Sequence, residues 1–326
     1  MPNRIIKKII KILKMFYFFF IPVRPIPQLE HLPFSFFRSL KNVSQSKMIN
    51  EHIKNKFYAD KLIFVSGVGN SASTVLGQCV AEISGRANIN YGKYMRNNRD
   101  FNLRLELLRQ FPNGGVYRHH FPALTPNLKV LELLESQYII NFRNPADIIA
   151  AKYCTFSTRV FDSVGRKAEY LEGGYFNVPK DIFGSGNDIH DSIDFLLKDG
   201  YLNATLMWMV DWLVSRDLEK SIIVKYEDIK LKHKNTMNYI SNFLNGNDIS
   251  DDIYAKCDSL MKINGEMHKE LANKYPRGWT GKVGAWKDYF SDKNYATYHK
   301  QIKNFLEYYP QADKLVEIYP NILNLK

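Results

Sequence analysis

Three cysteines in 326 residues, Cys79, Cys154 and Cys257, are too few and too far apart for a disulfide framework, and they fit reduced structural thiols. No further Cys or His stands at ligand spacing, so no metal is expected. The chain also lacks an apolar run near the ~20 residues of a spanning helix, the apolar part of its N-terminus being only Met15 to Ile21. Pro22, Pro25 and Pro27 follow where a small-residue cleavage site would stand, which argues against a signal peptide. Repeats and low-complexity tracts are absent. Acidic residues are in deficit, 33 against 45 Lys and Arg, and the formal charge of +12 suits an anionic ligand, a membrane surface or nucleic acid. Zinc-finger spacing, an RNP-like aromatic motif and a basic block are all missing, so no nucleic-acid partner is expected.

What the N-terminus does contain is periodicity. Ile5, Ile6, Ile9, Leu13, Phe16 and Phe20 recur at helical spacing, with Lys7, Lys8, Lys11 and Lys14 largely opposite. Residues 1–23 therefore read as a basic amphipathic helix, lying on an anionic membrane surface or packing its apolar face on protein. Residues 24–60 are a proline-punctuated lead-in, and 61–326 are expected to form a single α/β domain. Reduced thiols and the missing span place the expected location in the cytoplasm, peripheral on the membrane if the first helix binds there.

The most informative stretch is Lys61 to Ser84. A buried-type strand, Leu62 to Val65, runs into a small-residue turn (Ser66, Gly67, Gly69, Asn70, Ser71, Ala72), and Ser73 and Thr74 lead into a helix that Gly85 is placed to end. Such a junction aims free backbone N–H groups and a helix dipole at one point, an anion cradle, unless it is only a serine-rich turn. Ala72 and Ser73 fall where the nucleotide-triphosphate loop has its second glycine and lysine, which argues against Mg²⁺-assisted NTP chemistry.

Further along, Arg99 to Arg109 has amphipathic helical spacing, and Val116 to His119 reads as a second strand. It ends at Arg118, His119, His120, two adjacent histidines of which at most one faces a given site. A histidine at the carboxyl end of a parallel strand is placed for general-base work. Gln137 to Phe142 is a strand running into Arg143, whose guanidinium could grip a phosphate bidentately, and Pro145 suits the first turn of a helix from Ile148 to about Tyr153. Thr155 to Gly200 reads as variable loop. Tyr201 to Asp217 is helical, with Trp208 and Trp212 one turn apart as core residues. Ser221 to Lys225 is a strand continuing into Tyr226, Glu227 and Asp228, and a helix covers about Lys234 to Leu244. In Gly281 to Phe290, two glycines flank Lys282 and could wrap a phosphate.

Taken together and in order, these pieces resemble the PAPS-dependent sulfotransferases. Gly69-Asn70-Ser71-Ala72-Ser73-Thr74 resembles their 5′-phosphosulfate loop, usually P-K-S-G-T-T. Arg118-His119-His120-Phe121-Pro122 matches the K-x-H-L-P segment, Phe142 to Asp147 the R-N-P-x-D motif, and Lys225 to Asp228 the Y-E-D strand end. Gly281, Gly284, Trp286, Lys287 and Phe290 stand in register with R-K-G-x-x-G-D-W-K-x-x-F. The resemblance implies a three-layer α/β fold, a central parallel sheet flanked by helices in the P-loop-like sulfotransferase architecture. It implies sulfuryl transfer from PAPS to an acceptor hydroxyl, a carbohydrate or glycolipid being favoured, with PAP as product. His120 would be the general base. Gly69, Asn70, Ser71, Ala72, Ser73 and Thr74 would hold the 5′-phosphosulfate, Arg143, Gly281 and Lys282 the 3′-phosphate, and Tyr226 would lie by the adenine.

Asn70 replaces the loop lysine of the family, and Arg118 is the cation expected to stand in for it. Ala151 replaces the serine eight positions after the motif arginine, with Lys152 beside it as substitute. Trp279-Thr280 replace Arg-Lys, leaving Arg277 and Lys282. The alternatives are a P-loop-type kinase or NTPase, for which no lysine and Mg²⁺ carboxylate can be placed, and a non-catalytic, membrane-tethered nucleotide-binding protein.

Overall fold

The computed structural model describes residues 62–69, 71–89, 103, 108, 115–162, 169–171, 174–176, 188–274 and 281–323. The expectations for residues 1–60, for Asn70 and Arg277, and for most of the Arg99–Arg109 helix lie outside these residues.

Four apolar side chains in a row are what a strand covered on both faces requires. β1 (Leu62–Gly67) is buried throughout and lies at the middle of a five-stranded sheet. β3 (Gly115–His119) pairs with it on one side and β4 (Gln137–Phe142) on the other, both parallel; β2 (Asn88–Ile89) and β7 (Ser221–Lys225) extend the sheet to the order β2-β3-β1-β4-β7. A short antiparallel pair, β5 (Glu169–Leu171) with β6 (Gly174–Phe176), stands apart from it.

Alternation along β1 sorts two cores. Ile63 and Val65, with Val116, Ile139, Ile222 and Val224 of the neighbouring strands, pack under α1 (Ser73–Ser84), α7 (His233–Asn245) and α8 (Asp251–Lys274). Leu62 and Phe64, with Tyr117, Tyr138, Ile140 and Phe142, pack under α2 (Thr125–Leu133), α3 (Pro145–Asp162), α4 (Ile189–Lys198), α5 (Tyr201–Ser215), α9 (Asp292–Tyr308) and α10 (Lys314–Ile318). Helices on both faces of a parallel sheet give the expected three-layer α/β fold. Trp212 is fully buried against Phe121 and Tyr138, at ring-centroid distances of 5.6 and 5.7 Å, so the tryptophans of α5 are core.

Two local expectations are corrected. α3 starts at Pro145 and runs to Asp162, and α4 follows inside the stretch read as loop, its first turn capped by Asp188 accepting from the amide of His190 at 2.8 Å. Tyr226 to Asp228 do not prolong β7 but open a short helix, α6 (Tyr226–Leu231), with Glu227 and Asp228 in its acidic first turn.

From β1 the chain moves through α1 to β3 on one side, then crosses to β4 on the other side of β1. Strand order therefore reverses at the β1/β4 boundary, where open α/β sheets form a crevice beyond the strands' carboxyl ends. Both predicted anion-binding corners leave the sheet at that edge.

Candidate active site at the carboxyl ends of β1, β3 and β4

The loop after β1 is folded tightly by contacts its sequence encodes. The amide of Val68 donates to the Asn141 carbonyl (3.1 Å), and the amide of Ser71 donates to Val68 (3.2 Å). The Asn141 side chain, a polar group inside an otherwise apolar strand, donates from Nδ2 to the Ser71 carbonyl at 2.5 Å. A Cβ on Gly67 would lie 2.8 Å from both Ser71 Oγ and Ser73 Cβ, so only glycine lets the loop fold back so closely. Ala72 is the residue before α1 and has φ 62°, ψ 25°, the left-handed region that costs a residue with a Cβ about 1–2 kcal/mol. The first amide after it with an in-helix partner is that of Leu76, which donates to the Ala72 carbonyl. The amides of Ser73, Thr74 and Val75 thus end at the crevice without acceptors among the described residues. Ser71 Oγ, fully buried, has no hydrogen-bond partner there either. A cradle of unmatched donors at the positive end of a twelve-residue helix fits an anion.

β3 brings its two histidines to the same edge. His119 is directed to the side of Tyr117, while the Arg118 stem lies along α1, 3.3 Å from where a Cβ on Gly77 would stand. His120, just past the strand, places Nδ1 at 2.5 Å from the Gly67 carbonyl. A carbonyl oxygen can only accept, so Nδ1 carries the proton and Nε2 presents its lone pair. Burial pushes the His120 pKa down to about 4, the contact with Gly67 opposing this and the charges of Arg118 and Lys152 adding to it. The imidazole is neutral at physiological pH, the state a general base needs.

The second corner follows β4. In Arg143-Asn144-Pro145-Ala146-Asp147 each residue has a separate task. Asn144 caps α3, its Oδ1 accepting from the Ala146 amide at 2.9 Å, and Pro145 occupies the first helical position. Asp147 accepts from the amides of Gly284 (2.8 Å) and Trp286 (3.1 Å), pinning the C-terminal glycine segment to α3. Arg143 is fully buried, its guanidinium 4.3 Å from the centroid of the Tyr226 ring and donating to the Lys282 carbonyl at 3.4 Å. The Tyr226 hydroxyl donates to the Gly281 carbonyl. Burial pushes the Tyr226 pKa up to about 12, which keeps that hydroxyl a donor. Glu227 accepts from the Asn144 amide at 2.7 Å.

Of the residues singled out in the sequence, the fold therefore gathers Gly69, Ser71, Ala72, Ser73, Thr74, Arg118, His120 and Arg143 at the carboxyl edge of adjacent strands, with Tyr226, Gly281 and Lys282 joined to Arg143. The Lys282 ammonium turns outward to Asp288 at 3.0 Å, so at this corner Lys282 contributes its backbone. Lys152, on α3, lies 5.5 Å from the Tyr201 ring centre and near enough to His120 to depress its pKa. Three structural pairings escape a reading of the sequence, those of Asn141, Asp147 and Glu227, although the last two stand in the motifs quoted above. A lone Asn within Tyr138–Phe142 was the available signal for the first; for the others the partner is an amide far away in the chain. Among the described residues no group of His, Cys, Asp and Glu side chains could hold a metal ion.

Residues 47–313 match the family described as sulfotransferase domain. No curated protein matches the chain. Among solved structures, mouse sulfotransferase SULT7A1 complexed with PAP is 16% identical, with a TM-score of 0.53 over 81% of this chain and 89% of that one. Retinol dehydratase in complex with androsterone and PAP is also 16% identical, with a TM-score of 0.48 over 76% of this chain and 82% of that one.

Proposed function

Because the chain belongs to the sulfotransferase family, we propose that it moves a sulfuryl group from PAPS to a hydroxyl-bearing acceptor, a carbohydrate or glycolipid being the favoured class. The observation that carries this reading is the pairing of β1 with β4, which sets the unmatched donors of the Ser71–Val75 turn beside the Arg143 corner, with His120 at the same edge. When bound, PAPS supplies an activated sulfuryl group, and the unpartnered hydroxyl of Ser71 and the Gly67 cradle fit an anion of that kind.

The work of the chain's own residues follows from their chemistry. Ser71, Ser73, Thr74 and the loop amides would hold the 5′-phosphosulfate, with Gly69, Asn70 and Ala72 as the other residues of that loop sequence. Arg143 and the segment at Gly281 and Lys282 hold the 3′-phosphate, and Tyr226 lies by the adenine. Nε2 of His120 takes the acceptor hydroxyl proton, and the Gly67 carbonyl opposite Nδ1 steadies the imidazolium so formed. Arg118 and Lys152 provide positive charge where the loop has Asn70 and α3 has Ala151. Transfer of this type has a loose, charge-spreading transition state, so fixed donors and positioning carry most of the acceleration.

The test is thermal denaturation with nucleotides. PAP raises the midpoint and ATP with Mg²⁺ does not; the reverse result points to an NTP-using enzyme. A radiolabelled-sulfate transfer screen over glycan, glycolipid, peptide and phenolic acceptors then identifies the substrate class.

Among the described residues no helix is long and apolar enough to cross a membrane. For residues 1–23 we propose a basic amphipathic helix on an anionic membrane surface, preceding the lead-in 24–60 and the domain 61–326, which gives a peripheral protein on the cytoplasmic side. Its removal abolishes co-sedimentation with anionic liposomes; unchanged sedimentation refutes the proposal.

A further inference from the structure

Trp279-Thr280 stand where the resembled motif has Arg-Lys before the glycine segment, and the Lys282 ammonium is turned outward to Asp288 at 3.0 Å. A doubly charged 3′-phosphate at the Arg143 corner needs more positive charge than one guanidinium supplies. We propose that Lys230, on α6, is the second cation of the 3′-phosphate subsite and sets the preference for a 3′-phosphorylated nucleotide, an assignment that rests on the PAPS reading above.

Three observations converge on it. The Lys230 ammonium lies 5.9 Å from the centroid of the Tyr226 ring that Arg143 covers at 4.3 Å, so two cations share one aromatic residue. Lys230 stands four residues after Tyr226 on the same helix. Side chains there lean toward the helix N-terminus, which for α6 is the carboxyl edge of β7 and so the edge of the sheet bearing the crevice. Finally, neighbouring lysines have carboxylates: Lys225 and Lys232 reach Asp228 at 3.7 and 3.3 Å, and Lys234 reaches Asp251 at 3.4 Å. Half-buried Lys230 has no such partner among the described residues, and burial together with the Arg143 charge lowers its pKa. Two like charges that act on each other beside one aromatic ring are both relieved by an anion bound at that ring.

Calorimetric titration of the full chain with PAP and with AMP, which lacks the 3′-phosphate, tests this. Lys230→Gln weakens PAP binding about tenfold or more and leaves AMP binding unchanged, so that the preference for PAP collapses. Lys230→Arg restores most of that preference, and Lys232→Gln, at an exposed neighbour, has no effect. Preserved AMP binding in Lys230→Gln also shows that the variant is folded. Wild-type affinity for PAP in Lys230→Gln overturns the assignment, as does an equal loss of PAP and AMP. Failure of the wild-type protein to bind PAP at all overturns the donor reading itself, a result visible before any variant is made.

Discussion

Nδ1 of His120 and the carbonyl oxygen of Gly67 are 2.5 Å apart, although 53 residues separate them in the chain. One hydrogen bond thus fixes the tautomer of the proposed base and ties it to the loop proposed to hold the sulfuryl donor. His120→Ala is expected to lower kcat by 10²- to 10⁴-fold, the range of general-base catalysis, while PAP affinity stays within a few-fold. Single-turnover transfer beside a PAP titration measures both. Turnover within a few-fold of wild type would show that another group takes the proton.

Protonation of the two histidines links stability to pH. Burial lowers His119 to about 3, helped by the charges of His120 and Arg118, and His120 to about 4. In the unfolded chain both bind a proton below about 6.5. Between about pH 3 and pH 6.5 the unfolded state therefore holds more protons, so stability falls as pH is lowered through that window and these groups add no slope above it. Urea midpoints from pH 4.5 to 7.5 should show a shallower acid slope in His119→Gln than in wild type; equal slopes would contradict the burial of this pair.

Ala72 is held at φ 62° before α1. Ala72→Gly removes the Cβ penalty at the cost of extra freedom in the unfolded chain, and the balance favours the variant by about 0.5–1 kcal/mol. A small rise in the thermal midpoint with unchanged PAP affinity is the expected result. A fall in the midpoint would mean that the left-handed turn is absent in solution.

Gly67 has the opposite sensitivity. A methyl there meets Ser71 Oγ and Ser73 Cβ at 2.8 Å, so Gly67→Ala must move the loop. Overpacking of this kind costs about 1–3 kcal/mol, and PAP affinity should fall more than stability does. Calorimetric titration and urea unfolding of the same preparation separate the two effects.

The Asp147 carboxylate serves two distant amides, those of Gly284 and Trp286. Asp147→Ala is expected to cost about 2–4 kcal/mol by leaving both without an acceptor, and to weaken PAP binding because the 281–286 segment loses its anchor. Asp147→Asn retains one acceptor and should lie between the variant and wild type in urea unfolding.

The sheet and the two anion corners were legible because their signals are local. β1, β4 and β7 are mostly apolar, β-branched or aromatic runs of strand length, and Gly67, Pro145 and Gly85 mark turns and helix ends by their own backbone constraints. α4 was missed because its four buried residues, Ser192, Ile193, Leu196 and Leu197, sit in a stretch rich in Asp and Gly that resembles loop in composition. Tyr226 to Asp228 were extended as strand because Tyr favours strands, whereas two acidic residues suit a helix N-terminus. The bonds from Asp147 to Gly284 and from Tyr226 to Gly281 span 137 and 55 residues. No periodicity or spacing rule reaches that far, so the closing of the Arg143 corner became visible only in three dimensions.

That long reach bears on how the protein is made. During synthesis β1, β3 and β4 are all available before residue 150, yet the wall formed by Gly281 to Trp286 is still to be translated. A nascent chain can complete its strands while remaining unable to grip a nucleotide. Ligand capture thereby becomes a late event, reserved for molecules in which Gly281 to Trp286 have already been made and have reached Asp147.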